Sequence, residues 1–206
     1  MNNFHTLSAD KQKTILSAGF SCFGKMGYKK ASAADIAKEA GISKAMIFHY
    51  FGSKKNMYLY LLDTASALIE QAVRESVDTT NHDFFDRIIA DLKSKEKVIR
   101  VYPSIFLFAA SVSRENDPEV LTEITQRKEY GRTFHTNFFT QDIDISKFKK
   151  TVDPLLVSEL ISSYVEHLTA TFIHKEHADV EQFFSKAFLC VEMMRNNFYQ
   201  SGDLER

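Results

Sequence analysis

The sequence contains few residues that would interrupt or cross-link a helical chain: three prolines, seven glycines and two cysteines among 206 residues. Cys22 and Cys190 both lie in apolar helical patterns, where a core thiol is a commoner outcome than a redox pair. The longest apolar run, Ile105 to Ala110, is far shorter than the ~20 residues that span a bilayer, and the N-terminus has no signal-peptide pattern. We therefore expect a cytoplasmic, all-helical protein without a membrane segment.

Motifs that carry catalysis are also missing. The sequence has no G-x-S-x-G, phosphate-binding glycine loop, H-E-x-x-H or C-x-x-C, and no G-x-G-x-x-G after a strand. His167, His174 and His177 have the spacing of no ligand motif, and no cysteine or carboxylate completes a tetrahedron around them. We expect neither an enzyme nor a metal or cofactor site.

Residues 33–55 contain two short helical patterns that meet at a glycine turn. Ser32 is placed to cap the first helix, and Gly41 supplies the left-handed conformation that ends it. Ser43 caps the second helix, which we expect from Lys44 to about Tyr50. This pattern is typical of a helix-turn-helix DNA reader. The positions of the second helix predicted to face bases are Lys44, Ala45, Met46 and His49.

Two lysines that follow the second helix, and the positive net charge of the N-terminal part of the chain, favour a polyanionic partner. Ser53 starts another helix with Lys54 and Lys55 in its first turn, where free N–H groups and ammonium groups favour phosphate. Residues 1–55 carry nine lysines against three acidic residues, a net charge of +6, whereas the remainder has 17 basic and 24 acidic residues, a net charge of −7. The acidic part should lie away from a duplex. The positions predicted to face phosphates are Ser32, Tyr50, Lys54 and Lys55.

Residues 12–62 resemble the DNA-binding domain of the TetR (tetracycline-repressor-like) family of transcription regulators. The matching positions are Ile15, Ala18, Phe23, Gly27, Tyr28, Ser32, Asp35, Ile36, Ala37, Ala40, Gly41, Ile42, Ser43, Lys44, Ile47, His49, Tyr50, Phe51, Ser53 and Lys54. The resemblance implies a three-helix DNA-binding domain over residues 1–53. It also implies a helical effector-binding and dimerisation domain over residues 54–206, joined to the first by a long helix.

Three positions depart from the pattern of that family. Ala31 stands where Thr is usual, Met46 where Ser or Thr is usual, and Phe48 where Tyr is common. Each change removes a hydroxyl, so the contacts of the family do not carry over individually and no operator sequence is implied. Met46 offers an apolar contact to a thymine methyl in place of a hydrogen-bond donor.

Beyond residue 54 the pattern is helical throughout, without strand-like alternation. Apolar spacing predicts a long helix from about Lys54 to Val77, and Pro103, Pro118 and Pro154 are each suited to a first helical turn. The last two patterns predict helices over residues 154–172 and 180–199. By the resemblance, two helices of each subunit form a four-helix dimer interface; an intramolecular core is the alternative. The candidate interface residues are Ser158, Ser162, Thr169, Phe184, Phe188 and Val191.

Aromatic residues are concentrated in the second part of the chain, since 13 of the 18 phenylalanines follow residue 55. They suggest an apolar cavity suited to a flat or acyl-chain ligand, although core packing explains each ring equally well. His135 and His167 could orient a polar group. The candidate pocket residues are Tyr102, Phe106, Phe108, Tyr130, Phe134, Phe138, Tyr164, His167 and Phe172.

The sequence therefore predicts a homodimeric repressor that binds a palindromic operator and is released by a small apolar or aromatic effector. An architectural DNA binder would require basic charge throughout, which the acidic remainder does not provide. A helical small-molecule-binding or protein-interaction module with a degenerate recognition helix remains the alternative, and it would show no sequence preference for DNA.

Overall fold

A computed structural model describes residues 3–172 and 179–200, and it confirms the all-α prediction for them. Two 3-10 turns, at Phe4–Thr6 and Ile145–Lys147, and a β-bridge between Phe148 and Tyr199 accompany the α-helices of this part of the chain. In these residues no helix combines the length and the apolar character that a membrane span requires. The helices are α1 (Ala9–Lys30), α2 (Ala33–Glu39), α3 (Lys44–Phe51), α4 (Lys54–Ser76), α5 (Phe84–Val101), α6 (Pro103–Ser113), α7 (Leu121–Thr140), α8 (Pro154–Phe172) and α9 (Val180–Phe198).

Most helix ends agree with the capping signals in the sequence. The side chains of Ser32 and Ser43 accept hydrogen bonds from the third residue beyond them, and Pro103 and Pro154 begin α6 and α8. Pro118 differs from the prediction, because α7 begins three residues later. The carbonyl of Asp117 accepts from the N–H groups of residues 120 and 121, so a separate turn precedes the helix.

The chain packs as two compact units. Unit 1 comprises Met1–Leu68 and Ile99–Arg127, and unit 2 comprises Ile69–Val98 and Lys128–Arg206. Helices α4, α5 and α7 therefore contribute residues to both units. Helix α6 and the first turns of α7 belong to the same unit as α1–α3, so this division of the packing differs from a boundary at residue 53. The functional boundary there stays a prediction.

Unit 1 is organised around the packing of α1 on α6. Gly24 permits their close approach, because a Cβ atom at this position would lie 2.9 Å from backbone atoms of Leu107 and Phe108. The ring of Phe108 lies 5.3 Å from that of Phe20 and 5.4 Å from that of Tyr58. All three aromatic residues are fully buried, and they join α1, α4 and α6 in one core.

In unit 2, buried charges connect the start of α5 to the segments that pack on it. Arg87 donates to the carbonyls of Thr79, Asn81 and Gln141. Asp83 accepts a hydrogen bond of 2.8 Å from Lys147 and one of 3.1 Å from the Tyr199 hydroxyl. Burial alone would raise the pKa of Asp83, but the hydrogen bond from Lys147 and other nearby interactions hold it below its ordinary value.

Candidate nucleic-acid interface

The turn between α2 and α3 has the geometry that the sequence predicts. Gly41 has φ +67°, in the left-handed region that a side chain disfavours. The N–H of Ile42 reaches back to the carbonyl of Ala37 over 2.9 Å, which closes the end of α2. The Ser43 side chain then accepts from the N–H of Met46 and starts α3. The two helices are thereby held in a helix-turn-helix arrangement.

Helix α3 is anchored on one side and exposed on the other. Ile47, Tyr50 and Phe51 are buried against the rest of unit 1. The four residues predicted to face bases all lie on the exposed side: Lys44, Ala45, Met46 and His49. Their accessibility is what base contact requires; the contacts themselves stay a prediction.

Phe48 is a candidate site residue that the sequence prediction missed. Its side chain is 40% exposed, slightly more than that of Met46 at 36%. The Nζ atom of Lys44 lies 5.8 Å from the centroid of the Phe48 ring, within range of a cation–π contact. The position four residues after Lys44 already places Phe48 on the same side of the helix. The sequence prediction treated it only as a lost hydroxyl.

Ser32 and Tyr50, both predicted to face phosphates, are placed differently from each other. The Ser32 hydroxyl caps α2 and contacts the Asp35 carboxylate at 2.5 Å. Tyr50 is only 5% exposed, and its ring packs edge-on against Phe4 at 5.9 Å. The ring of Tyr50 therefore belongs to the core, which corrects the expectation of an outward-facing side chain.

Both lysines of the predicted phosphate clamp already have partners inside unit 1. The Nζ atom of Lys54 donates to the backbone carbonyl of Tyr28 over 3.0 Å, and it lies 4.3 Å from the centroid of the Tyr28 ring. Lys55 forms an ion pair of 2.6 Å with Glu123 on α7. The hydrogen bond from Lys55 lowers the pKa of Glu123. Both ammonium groups of the predicted clamp therefore have partners within unit 1, and their contact with phosphates stays a prediction.

The nine candidate pocket residues are distributed over both units. Phe106 and Phe108 are buried in unit 1, where Phe108 belongs to the core described above. Tyr102 is half-buried and lines an open groove of about 610 Å³ in unit 1, with Lys13 Nζ 5.2 Å from its ring centroid. Tyr130 is 63% exposed on α7. Two of these residues thus lie in a core, one lines a groove and one lies at the surface; a ligand pocket at any of them stays a prediction.

The remaining candidates lie in unit 2, where aromatic rings of α7 stack in pairs. Phe134 lies 5.4 Å from Phe138, and His135 lies 5.6 Å from Phe139. Burial lowers the pKa of His135 to about 4, so the ring is neutral at pH 7. Phe134, Phe138 and Tyr164 are half-buried and His167 is exposed. The Phe172 side chain, like His174 and His177, falls outside the described part of the structure.

The candidate dimer residues divide between the interior and the surface of unit 2. Ser158, Phe184 and Val191 are buried within the subunit, so they cannot meet a partner, and the prediction is corrected for these three. Thr169 and Phe188 are half-buried and Ser162 is exposed. The same two helices instead expose large apolar side chains elsewhere: Leu155, Leu156 and Leu160 on α8, and Leu189 and Met193 on α9.

Side chains that could bind a metal are not assembled into a site in residues 3–172 and 179–200. This part of the chain brings no three His, Cys, Asp or Glu side chains together. Cys22 is buried, and burial together with the nearby Asp35 and Glu39 raises the pKa of its thiol to about 11. A thiol with such a high pKa is unreactive at neutral pH, which agrees with a core position.

Comparison with known proteins identifies the N-terminal segment. Residues 15–61 match the family described as bacterial regulatory proteins, tetR family. The chain is 36% identical over 67 residues to the HTH-type transcriptional regulator BetI of Agrobacterium fabrum, covering 32% of this chain and 31% of BetI. It is 31% identical over 67 residues to the HTH-type transcriptional repressor AcnR of Corynebacterium glutamicum, covering 32% and 36%. The chain thus spans about a third of the length of these relatives.

Solved structures are similar over much more of the chain. A TetR family transcriptional regulator from Chloroflexus aurantiacus has a TM-score of 0.71, covering 97% of this chain and 98% of that one at 14% identity. FadR from Bacillus subtilis, in complex with stearoyl-CoA, has a TM-score of 0.63, covering 87% and 96% at 15% identity. At such identities the likeness shows the fold alone. Residues 15–61, which contain the helix-turn-helix, thus belong to the tetR family of bacterial regulatory proteins, and the chain as a whole has the fold of these solved structures.

Proposed function

We propose that this protein is a transcriptional repressor of the cytoplasm that binds a palindromic DNA operator as a homodimer and is released by a small apolar or aromatic effector. In this proposal residues 1–53 read the DNA, and residues 54–206 dimerise and bind the effector. The single observation that carries it is the exposed side of α3, which is presented on a capped helix-turn-helix within a basic segment.

The geometry of α3 supports reading of the major groove. The buried side chains of Ile47 and Phe51 fix the helix on unit 1, so its opposite side stays accessible without rearrangement. A helix presented in this way fits the width of the major groove. Lys44 and His49 supply the polar groups for base contact, and the net charge of +6 over residues 1–55 supplies attraction to the phosphates.

The exposed apolar side of α8 and α9 supports dimerisation. Leu156 is 52% exposed and Leu189 is 70% exposed on helices of the same unit. Large apolar side chains exposed on two helices that contact each other favour burial against another subunit. A second copy of the chain would bring the same two helices and complete a four-helix contact. Two recognition helices about one duplex turn (~34 Å) apart then read a palindrome.

The aromatic side chains of α7 support an apolar or aromatic effector. Phe134 and Phe138 stack but remain half-buried, so they keep surface that a ligand could cover. Arg74 lies 4.7 Å from the Phe134 ring centroid and could contact an anionic group of the ligand. The stearoyl-CoA bound to the structurally similar FadR is one example of a ligand with an apolar chain and anionic groups.

Selection of binding sites from a random duplex library with the purified protein tests the proposal. An enriched palindrome whose affinity falls steeply with salt would support it, and it would provide an assay in which candidate effectors, beginning with aromatic acids and acyl-CoA esters, release the DNA. Weak binding without enrichment would instead favour a helical interaction or small-molecule-binding module whose recognition helix no longer reads sequence.

A further inference from the structure

The exposed side of α3 is mostly apolar. Of its five exposed side chains, Ala45, Met46 and Phe48 have no polar group, and only Lys44 and His49 do. Met46 and Phe48 are each more than one-third exposed. Large apolar side chains left in water at a recognition surface favour contact with an apolar group of the partner.

The order of these residues around the helix determines what they can touch. Successive residues are rotated by about 100°. Ala45 and His49 therefore lie nearest the middle of the exposed side, opposite the buried Ile47, and Met46 and Phe48 border it on opposite flanks. Lys44 lies beyond Phe48, with its ammonium group beside the ring. The middle of the exposed side thus carries one methyl group and one imidazole ring, with a large apolar side chain on each flank.

The major groove presents one apolar group to such a surface. Every base edge there carries donors or acceptors, and only thymine adds a C5-methyl group. An apolar side chain placed against a donor or acceptor removes its water without replacing the hydrogen bond, which is unfavourable. The same side chain placed against a methyl group buries apolar area on both partners.

We infer that Met46 and Phe48 are specificity-determining residues that contact thymine methyl groups on the two flanks of each operator half-site. The inference rests on the proposed DNA binding by α3 and adds the chemistry that is read. It assigns a direct role in base contact to Phe48. The loss of a tyrosine hydroxyl at this position, considered alone, would suggest no such role. Lys44 and His49 then supply the hydrogen bonds of the same surface.

Replacement of thymine by deoxyuridine tests this contact, because it removes only the methyl group and keeps base pairing. The full chain is titrated with its selected operator, in which each thymine of a half-site is replaced in turn. We expect the affinity to fall roughly fourfold at each contacted thymine, the effect of one buried methyl group, and to stay unchanged at the others.

Variants of the two side chains assign the contacts. Phe48→Ala and Met46→Ala should each abolish the difference between thymine and deoxyuridine at their own positions, whereas Phe48→Tyr should keep it because the ring remains. Both side chains are well exposed, so their truncation leaves no core cavity. Leu121→Ala, which truncates an equally exposed leucine at the start of α7, is the matched control and should leave every difference in place.

Three outcomes would overturn the inference, and only the last of them would also overturn the proposed function. Selective DNA binding with equal affinity for thymine and deoxyuridine throughout the half-site would overturn it alone. The same conclusion would follow if both alanine variants kept the full methyl dependence. Failure to select any operator would overturn it together with the proposed function.

Discussion

Lys55 at the start of α4 and Glu123 in the first turn of α7 form an ion pair with 2.6 Å between Nζ and Oε1. One turn further along α7, Arg127 makes a bidentate pair with Asp63 of α4 at 2.7 and 2.9 Å. Two adjacent ion pairs thus join these helices within unit 1. In the proposed regulator, Glu123 binds the ammonium group of Lys55, which operator phosphates would otherwise attract. Glu123 and the phosphates therefore compete for Lys55.

This competition predicts that Glu123→Gln tightens DNA binding on all sequences. The neutral side chain releases Lys55 to contact a phosphate, so the slope of log affinity against log salt concentration should steepen by about one unit. Affinity titrations at four salt concentrations measure both quantities. Asp63→Asn is the matched control, because it removes the same charge and breaks an ion pair but leaves Lys55 bound to Glu123. An identical response of the two variants would contradict the competition.

His49→Ala should change which operator is preferred rather than how tightly all DNA is held. His49 is exposed near the middle of the α3 recognition side, where loss of a base contact costs about 1–3 kcal/mol at one base pair. Lys55→Ala is the comparison, and it should weaken binding uniformly. Repeating the site selection with each variant measures the preference. Equal shifts for every sequence in both variants would show that the division into base and phosphate contacts is wrong.

Features of this site that depend on neighbouring residues could be predicted from the sequence. Features that depend on residues far apart along the chain could not. The α2–α3 turn was predictable because Ser32, Gly41 and Ser43 act on their own neighbours, and the starts of α6 and α8 follow from proline in the same way. The engagement of Lys55 was not predictable, because its partner Glu123 lies far along the chain. The burial of Phe184 and Val191 was also missed, since an apolar stripe does not reveal which part of it faces the subunit's own core.

Leu156→Glu should convert the proposed dimer to a monomer. A charge placed in an apolar interface loses hydration without gaining a partner, at a cost of several kcal/mol. Sedimentation velocity at micromolar concentration measures the change in mass, and circular dichroism checks that the helices remain. Leu121→Glu, on an exposed leucine of unit 1, should leave the mass unchanged. A Leu156→Glu protein that keeps the wild-type mass would place the dimer contact on another surface.

Two buried tyrosines should respond oppositely to loss of the hydroxyl. The Tyr58 hydroxyl finds no hydrogen-bond partner among the described residues, so Tyr58→Phe removes an unsatisfied group and should stabilise the protein by about 1 kcal/mol. The Tyr199 hydroxyl donates to the Asp83 carboxylate, so Tyr199→Phe should destabilise it by about 2 kcal/mol. Urea unfolding at pH 7 compares them. A loss of stability in Tyr58→Phe would indicate an acceptor for its hydroxyl.

His135 should make the stability of unit 2 sensitive to mild acid. Burial and the nearby Lys95 lower its pKa from 6.5 to about 4, and Asp91, itself paired with Lys95 at 2.7 Å, opposes this only in part. The unfolded chain therefore binds more protons than the folded chain between these values. Stability should fall as the pH drops below about 6.5, and it should level off below 4, with a loss of about 2 kcal/mol between pH 7 and 5.

His135→Gln isolates this contribution, because glutamine keeps a polar side chain of similar size but does not titrate. Hydrogen exchange of α5 and α7 amides at pH 7 and pH 5, corrected for the intrinsic rates, measures local stability in both proteins. We expect the wild type to lose protection on acidification and the variant to lose about 2 kcal/mol less. Parallel losses in the two proteins would mean that another group is responsible. An acid-labile α7 core would in turn make effector binding weaker at pH 5 than at pH 7, since Phe134 and Phe138 stack on the same helix.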